Sequence, residues 1–203
     1  MNFSPNKILS IDWDYVTGDC SDTSYYSPHP HCGFCKDRYV ARARGNKEHL
    51  DSIWKENELR LLGLRLYKNT PIFVAECHAN IIDVASKFDK WPLVYDYDAH
   101  FYRYDKSPNL HCGNWVYHLE CLGGSVLRRP RSIKKVGAVF ICHSSPWTPR
   151  CMDEEFFRFI RKISEKTSKP QFIGHRRISL RNNYNMICLD KRFLCGKNNS
   201  FQS

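Results

Sequence analysis

Three short runs of this chain are apolar, and each stops on residues that bind metals. Ile8-Leu9-Ser10-Ile11 ends in Asp12-Trp13-Asp14, Pro71 to Ala75 ends in Glu76-Cys77-His78, and Leu93 to Tyr97 ends in Asp98-Ala99-His100. A run that is apolar nearly throughout reads as a strand buried on both faces, which is the habit of parallel sheets. In such sheets ligands gather beyond the carboxyl ends of the strands. Asp12 and Asp14, like Asp98 and His100, stand at i and i+2. In a strand those positions point the same way, roughly 7 Å apart. Neighbouring strand ends would therefore crowd three carboxylates and an imidazole into one small volume, and cations are the natural way to neutralise it.

Between these runs lie helix-like segments. Leu50, Ile53, Trp54, Leu61 and Leu64 recur at helical spacing within Lys47 to Leu64. Ile81 to Phe88 and Trp115 to Cys121 read as short helices. Asp153 caps a longer one that runs to Lys166, with Phe156, Phe157, Phe159, Ile160 and Ile163 on its apolar side. Val136 to Cys142 is a further buried strand, and Ile178 to Leu180 and Met186 to Leu189 are short strand candidates. Strands alternating with helices predict an α/β fold, a three-layer α/β/α sandwich around a mostly parallel sheet. The 203 residues suit a single domain spanning 1–203, with a polar, Cys- and His-rich loop inserted at about 17–37.

Composition narrows the class. Hydrophobic residues are 42% and aromatics 14%, enough to bury a core and too many for a disordered chain. No apolar run approaches the ~18 residues needed to cross a bilayer, and the first residues lack a signal-peptide pattern. The expectation is a cytoplasmic protein with no membrane partner, whose ten cysteines are thiols or metal ligands rather than disulfides. Cys77, Cys142 and Cys188 lie in apolar runs and read as small core residues. The net charge of +10 points to an acidic partner or nucleic acid, or simply to a solubilising surface around Arg128-Arg129-Pro130-Arg131 and Lys134-Lys135.

Carboxylate and imidazole donors together suit manganese, iron or zinc rather than calcium. Carboxylates shared between two ions would make a two-metal hydrolytic site. A second site is written in the loop: Cys32-Gly33-Phe34-Cys35 has the spacing of a zinc knuckle, with Cys20, His29 and His31 upstream to complete a tetrahedron. A redox dithiol and plain thiols are the competing readings. His143, after the strand that ends at Cys142, is a candidate proton shuttle. His111 reads similarly. Glu76 and Glu120 could receive a guanidinium in a bidentate fork, and Trp115 and Trp147 could stack on a cationic group or simply pack. Ser144-Ser145 lacks the Gly-x-Ser-x-Gly elbow of a serine hydrolase, and there is no Gly-rich phosphate loop.

Five segments in order resemble the metal-dependent ureohydrolases of the arginase superfamily, in the branch that includes the peptide arginases and puts the Asp-x-Asp strand first. They are Ser10-Ile11-Asp12-Trp13-Asp14-Tyr15, Ala75-Glu76-Cys77-His78-Ala79, Tyr97-Asp98-Ala99-His100, His111-Cys112-Gly113-Asn114-Trp115 and Phe140 to Pro149. The resemblance spans residue 8 to about 160. It implies an arginase-like fold and Asp12, Asp14, His78, Asp98 and His100 as ligands of manganese or iron. It also implies hydrolysis of a guanidino carbon–nitrogen bond, with Asp14 orienting or accepting a proton and Asp98 in the reacting site; His143, from its place after a strand, is the further catalytic candidate. The substrate implied is an arginine side chain in a peptide or another guanidino compound, giving ornithine and urea. The chain departs at Tyr102, where that family has a third acidic ligand; Asp105 is the nearest replacement. A different class of function remains open: a non-catalytic, zinc-stapled basic module that binds nucleic acid or an acidic protein.

Overall fold

A computed structural model of the chain describes residues 5–17, 47–99, 106, 108–144, 148 and 150–174, with backbone alone for 47–53 and 150. The elements run in the order β1 (Lys7–Asp12), α1 (Trp13–Thr17), α2 (Lys47–Leu62), β2 (Ile72–Ala75), α3 (Ile81–Ala85), β3 (Leu93–Tyr97), α4 (Trp115–Cys121), β4 (Ser125–Arg128), β5 (Ala138–Cys142), α5 (Asp153–Lys166) and β6 (Pro170–Phe172). Six strands form one sheet in the order β4-β3-β1-β5-β2-β6. Every pairing is parallel.

The alternation of each strand feeds two separate apolar layers. Leu9, Ile11, Val74, Tyr95, Tyr97, Val139 and Ile141 face one way and pack with Trp54 and Leu61 of α2 and with Phe156, Phe159, Ile160 and Ile163 of α5. Ile8, Phe73, Val94, Ala138 and Phe140 face the other way, against Ile81 and Val84 of α3 and Trp115 and Leu119 of α4. The result is a three-layer α/β/α fold. Chain direction explains which helix takes which face. The crossovers β1–β2 and β5–β6 travel one way along the sheet and carry α2 and α5. The crossovers β2–β3 and β3–β4 travel the opposite way and carry α3 and α4. Reversing direction and face together keeps every crossover the same hand, as right-twisted strands require.

The strand order reverses at β1, which lies between β3 and β5. That reversal opens a crevice beyond the carboxyl ends of β1, β3 and β5, with the end of β2 one strand further on. No helix among the described residues is long and apolar enough to cross a membrane.

Local differences from the sequence reading matter for the site. β1 stops at Asp12, so Asp14 lies in the first turn of α1 and not two positions along a strand. The Asp12 side chain causes this, since its Oδ1 accepts the Asp14 amide at 3.3 Å and turns the chain. β3 likewise ends at Tyr97, one residue before Asp98. Asp153 is the first residue of α5, after a short 3₁₀ turn, and the capping position is Met152. Edge strands β4 and β6 were not foreseen. The strand candidates 178–180 and 186–189, all but the first residue of the predicted loop at about 17–37, with Cys20, His29, His31, Cys32 and Cys35, and also His100, Tyr102, Asp105, Ser145, Trp147 and Cys188, lie outside the described residues.

Candidate metal centre

Asp12, His78 and Asp98 converge. His78 Nδ1 is 2.8 Å from Asp12 Oδ2 and 3.3 Å from Asp98 Oδ2. One ligand atom from each lies within 4.8 Å of the other two, and all three residues are buried. β1 and β3 supply the carboxylates as direct neighbours. His78 comes from further away, on the 3₁₀ turn that follows β2, and this turn carries its ring across the end of β5.

The ring is held on its flat sides. Trp115 stacks on it at 4.5 Å between centroids and Phe140 at 5.7 Å. Its remaining nitrogen, Nε2, is 2.8 Å from Ser10 Oγ. Asp96 stands beside Ser10 across the β1–β3 ladder, on the same face as Asp98. Its Oδ1 is 3.7 Å from His78 Nε2 and has no hydrogen-bond partner, although Asp96 is 1% exposed. So three buried carboxylates surround one imidazole.

Their protonation reflects this crowding. Burial opposes charge on His78, but its bonds and attraction to Asp12 and Asp98 outweigh burial and raise its pKa well above the ordinary value. Burial likewise works against the Asp12 carboxylate, yet His78 and the Ser144 hydroxyl hold it below the usual range. Asp96 is pushed up to about 7, first by burial and next by the charge of Asp98. In this arrangement a proton on His78 stands where a cation would neutralise the carboxylates.

The donor set fits a metal ion. Two carboxylate oxygens and one imidazole nitrogen are borderline-to-hard donors, suited to first-row divalent ions and leaving coordination positions open. The geometry alone does not select among such ions.

The end of β5 contributes Ser144 rather than His143. Ser144 Oγ donates to Asp12 Oδ2 at 2.7 Å, and the residue adopts φ +49° to do so. His143 points elsewhere. Its Nδ1 meets Glu76 Oε1 at 2.8 Å, its Nε2 meets Asp153 Oδ1 at 3.2 Å, and its ring stacks on Phe156 at 4.3 Å. Burial works against its charge, but Asp153 and Glu76 together raise its pKa. Both ring nitrogens thus face carboxylates, and His143 ties the ends of β2 and β5 to the start of α5. Glu76, read from the sequence as a guanidinium receiver, is engaged by this histidine.

Asp14 sits close to the triad without being a member of it. Its Oδ1 accepts the Ala99 amide at 3.2 Å, the peptide that follows Asp98. His111 orders the loop before α4: its Nδ1 accepts the Gly113 amide at 3.1 Å. Cys142 is a buried neighbour whose thiol pKa is raised well above normal, by burial first and then by Asp12. Ser10, Asp96, Ser144 and the role of Trp115 against His78 were missed by sequence reasoning. A signal for two of them was present, since Ser10 and Asp96 are polar interruptions two residues before Asp12 and Asp98.

Comparison of the chain with protein-family models, with curated proteins and with solved structures finds no match in any of the three.

Proposed function

We propose that this chain is a metal-dependent hydrolase of the arginase-like type, acting on a guanidino carbon–nitrogen bond. The substrate class we favour is an arginine side chain within a peptide, hydrolysed to ornithine and urea. The observation that supports this reading most is the gathering of Asp12, His78 and Asp98 at the strand ends where a parallel sheet collects its ligands. Manganese or iron is the ion expected from the resemblance. When bound, such an ion supplies Lewis acidity and acidifies water. Asp12, His78 and Asp98 would hold it, and His100 would complete the set. Asp14, anchored through the Ala99 amide, would orient or accept a proton beside them. His143 serves in this reading as a structural tie, because both its nitrogens already bond carboxylates.

Cys20, His31, Cys32 and Cys35 are proposed to hold a separate structural zinc. The cysteine usage fits a reducing, cytoplasmic compartment. The test is urea release from arginine and arginine-containing peptides, with and without manganese, alongside elemental analysis of protein purified without added metal. Manganese-dependent urea supports the hydrolase. Zinc alone, no urea and salt-sensitive nucleic-acid binding would instead favour the basic binding module.

A further inference from the structure

All six strands run parallel, so their amino ends share the edge of the sheet opposite the candidate metal centre. Charge is segregated along that edge. In sheet order, the segments entering β3, β1, β5, β2 and β6 offer Lys90, Lys7, Lys135, Lys68 and Lys169, one lysine for each strand. Lys7 is partly buried and the other four are exposed. These entries, residues 86–92, 5–7, 134–137, 63–71 and 167–169, contain a single acid, Asp89. Asp12, Asp14, Glu76 and Asp98 all follow the strands and lie at their other end.

Backbone bonds between neighbouring entries hold the row in line. Leu93 N donates to Asn6 O at 3.3 Å, Gly137 N to Lys7 O at 2.9 Å, Val139 N to Pro71 O at 2.9 Å and Asn69 N to Thr167 O at 3.3 Å. Strands ~4.8 Å apart spread the five lysines over about 19 Å. Two aromatic rings stand among them. Tyr67 is exposed, with Lys135 Nζ 5.1 Å and Arg65 Cζ 6.0 Å from its ring centroid. Trp91 is partly exposed beside Lys90, and its carbonyl accepts from Asn6 Nδ2 at 3.2 Å.

We propose that this edge binds single-stranded nucleic acid, with the lysines on successive phosphates and Tyr67 and Trp91 against bases. A line of like charges matches a linear polyanion, and rings set among cations are what an unpaired strand needs, since its bases offer free π-faces. A double helix keeps those faces stacked inside and gives the rings no such partner. An anionic bilayer would also attract lysines, but a surface that enters lipid brings a broad apolar face. Among the described residues, the exposed large apolar side chains at the strand entries are Tyr67 and Leu122. A merely solubilising coat would intersperse both signs. The row and the triad lie at opposite ends of the strands, so this binding is independent of the hydrolase reading and neither requires nor excludes urea release.

Fluorescence anisotropy of the full chain with labelled oligouridine, over a range of salt, tests the proposal. Wild-type affinity should fall steeply as salt rises. Lys68→Glu, Lys135→Glu and Lys169→Glu combined should weaken binding about tenfold or more and flatten the log–log salt slope by about 2, three contacts at roughly 0.7 each. Lys55→Glu, Lys106→Glu and Arg161→Glu combined change the net charge equally at exposed positions away from the row. That control should stay within about threefold of wild type, because distant charges are screened. Tyr67→Ala should weaken binding about tenfold with the slope unchanged, the loss of one stacked base. Thermal melts verify that each variant is folded, and if the row glutamates unfold the chain, the same three lysines changed to Gln carry the test. Equal losses in the two triple variants, wild-type affinity in Tyr67→Ala, tighter binding to a duplex, or capture by phosphatidylserine vesicles without RNA binding would each overturn the proposal.

Discussion

Arg129 donates twice to the carbonyl oxygen of Asp98, from Nε at 3.2 Å and from Nη2 at 2.9 Å. Nη2 also reaches Ala99 O at 3.3 Å, and Arg128 Nη2 adds a third bond to Asp98 O at 3.1 Å. Two consecutive residues at a strand end would normally project to opposite faces. Arg129 instead takes φ +41°, which brings both guanidinium groups to one carbonyl. The Arg129 guanidinium also lies over the Tyr15 ring, 5.1 Å from its centroid. The backbone of a proposed metal ligand is thereby clamped from the edge strand.

Arg129→Ala should therefore loosen Asp98 and lower divalent-ion affinity several-fold. Arg129 is exposed, so its stability cost is small, on the order of 1 kcal/mol. Arg129→Lys should not rescue affinity, because a point-like ammonium cannot span two carbonyls as the planar fork does. Calorimetric titration with zinc checks both variants. Wild-type affinity in Arg129→Ala would show that the clamp leaves the site unaffected.

The carboxylate crowd predicts a split between stability and binding. Asp98 raises the pKa of Asp96 by its charge, so the two repel in the metal-free protein. Asp98→Asn removes that repulsion along with one ligand charge. It also loses the attraction of Asp98 to His78, so the metal-free Tm of Asp98→Asn should change little while the rise in Tm that added zinc gives is lost. For scale, saturating a single site at a hundred times its Kd stabilises by about 2.7 kcal/mol. A variant that keeps the full zinc-dependent rise would remove Asp98 from the ligand set.

The sheet and the triad were legible in the sequence for one reason. Buried parallel strands must be apolar on both faces, so metal-type residues within about three positions after each run mark a strand end. Asp12, His78 and Asp98 stand out on that rule. Asp14 was misplaced because a carboxylate at a strand end can bond the amide two residues on and start a helix, which periodicity does not reveal. His143 and Ser144 could not be ranked either. They are adjacent, and only the positive φ at Ser144 decides that the serine reaches Asp12 while the imidazole turns to Glu76. β4 escaped notice since Ser125-Val126-Leu127-Arg128 is a half-exposed edge strand following Gly123-Gly124, with no continuous apolar run.

Ser144 combines a strained backbone with a short bond to Asp12, and the two can be separated. Ser144→Ala loses the bond and keeps the unfavourable φ. Ser144→Gly loses the same bond but adopts φ +49° freely. The usual order is thus expected to invert, with glycine less destabilising than alanine by about 1 kcal/mol. Urea denaturation of the two variants measures it. Alanine equal to or better than glycine would mean that the backbone there is not under strain.

The pH response of the metal-free protein follows from three raised groups. His78 and His143 each have a folded pKa above the unfolded value of about 6.5. A group raised on folding stabilises fully below its unfolded pKa, and that stability is lost as pH rises through the folded value. Asp96, raised to about 7 by burial, acts in the same sense between about 3.9 and 7. Metal-free stability should therefore fall as pH rises through neutrality. A divalent ion held by Asp12, His78 and Asp98 would take the place of the proton on His78 Nδ1, so the zinc-loaded protein should fall less steeply. By the same linkage, zinc binding releases protons, and its affinity must rise with pH over this window. Denaturation midpoints and zinc titrations from about pH 6 to about pH 9 test both slopes. His143→Gln provides the internal control: it should flatten part of the stability slope and leave the pH dependence of zinc affinity intact. Zinc affinity that is flat or falling with pH would mean that no proton on His78 competes with the ion, and His78 would then be the wrong ligand.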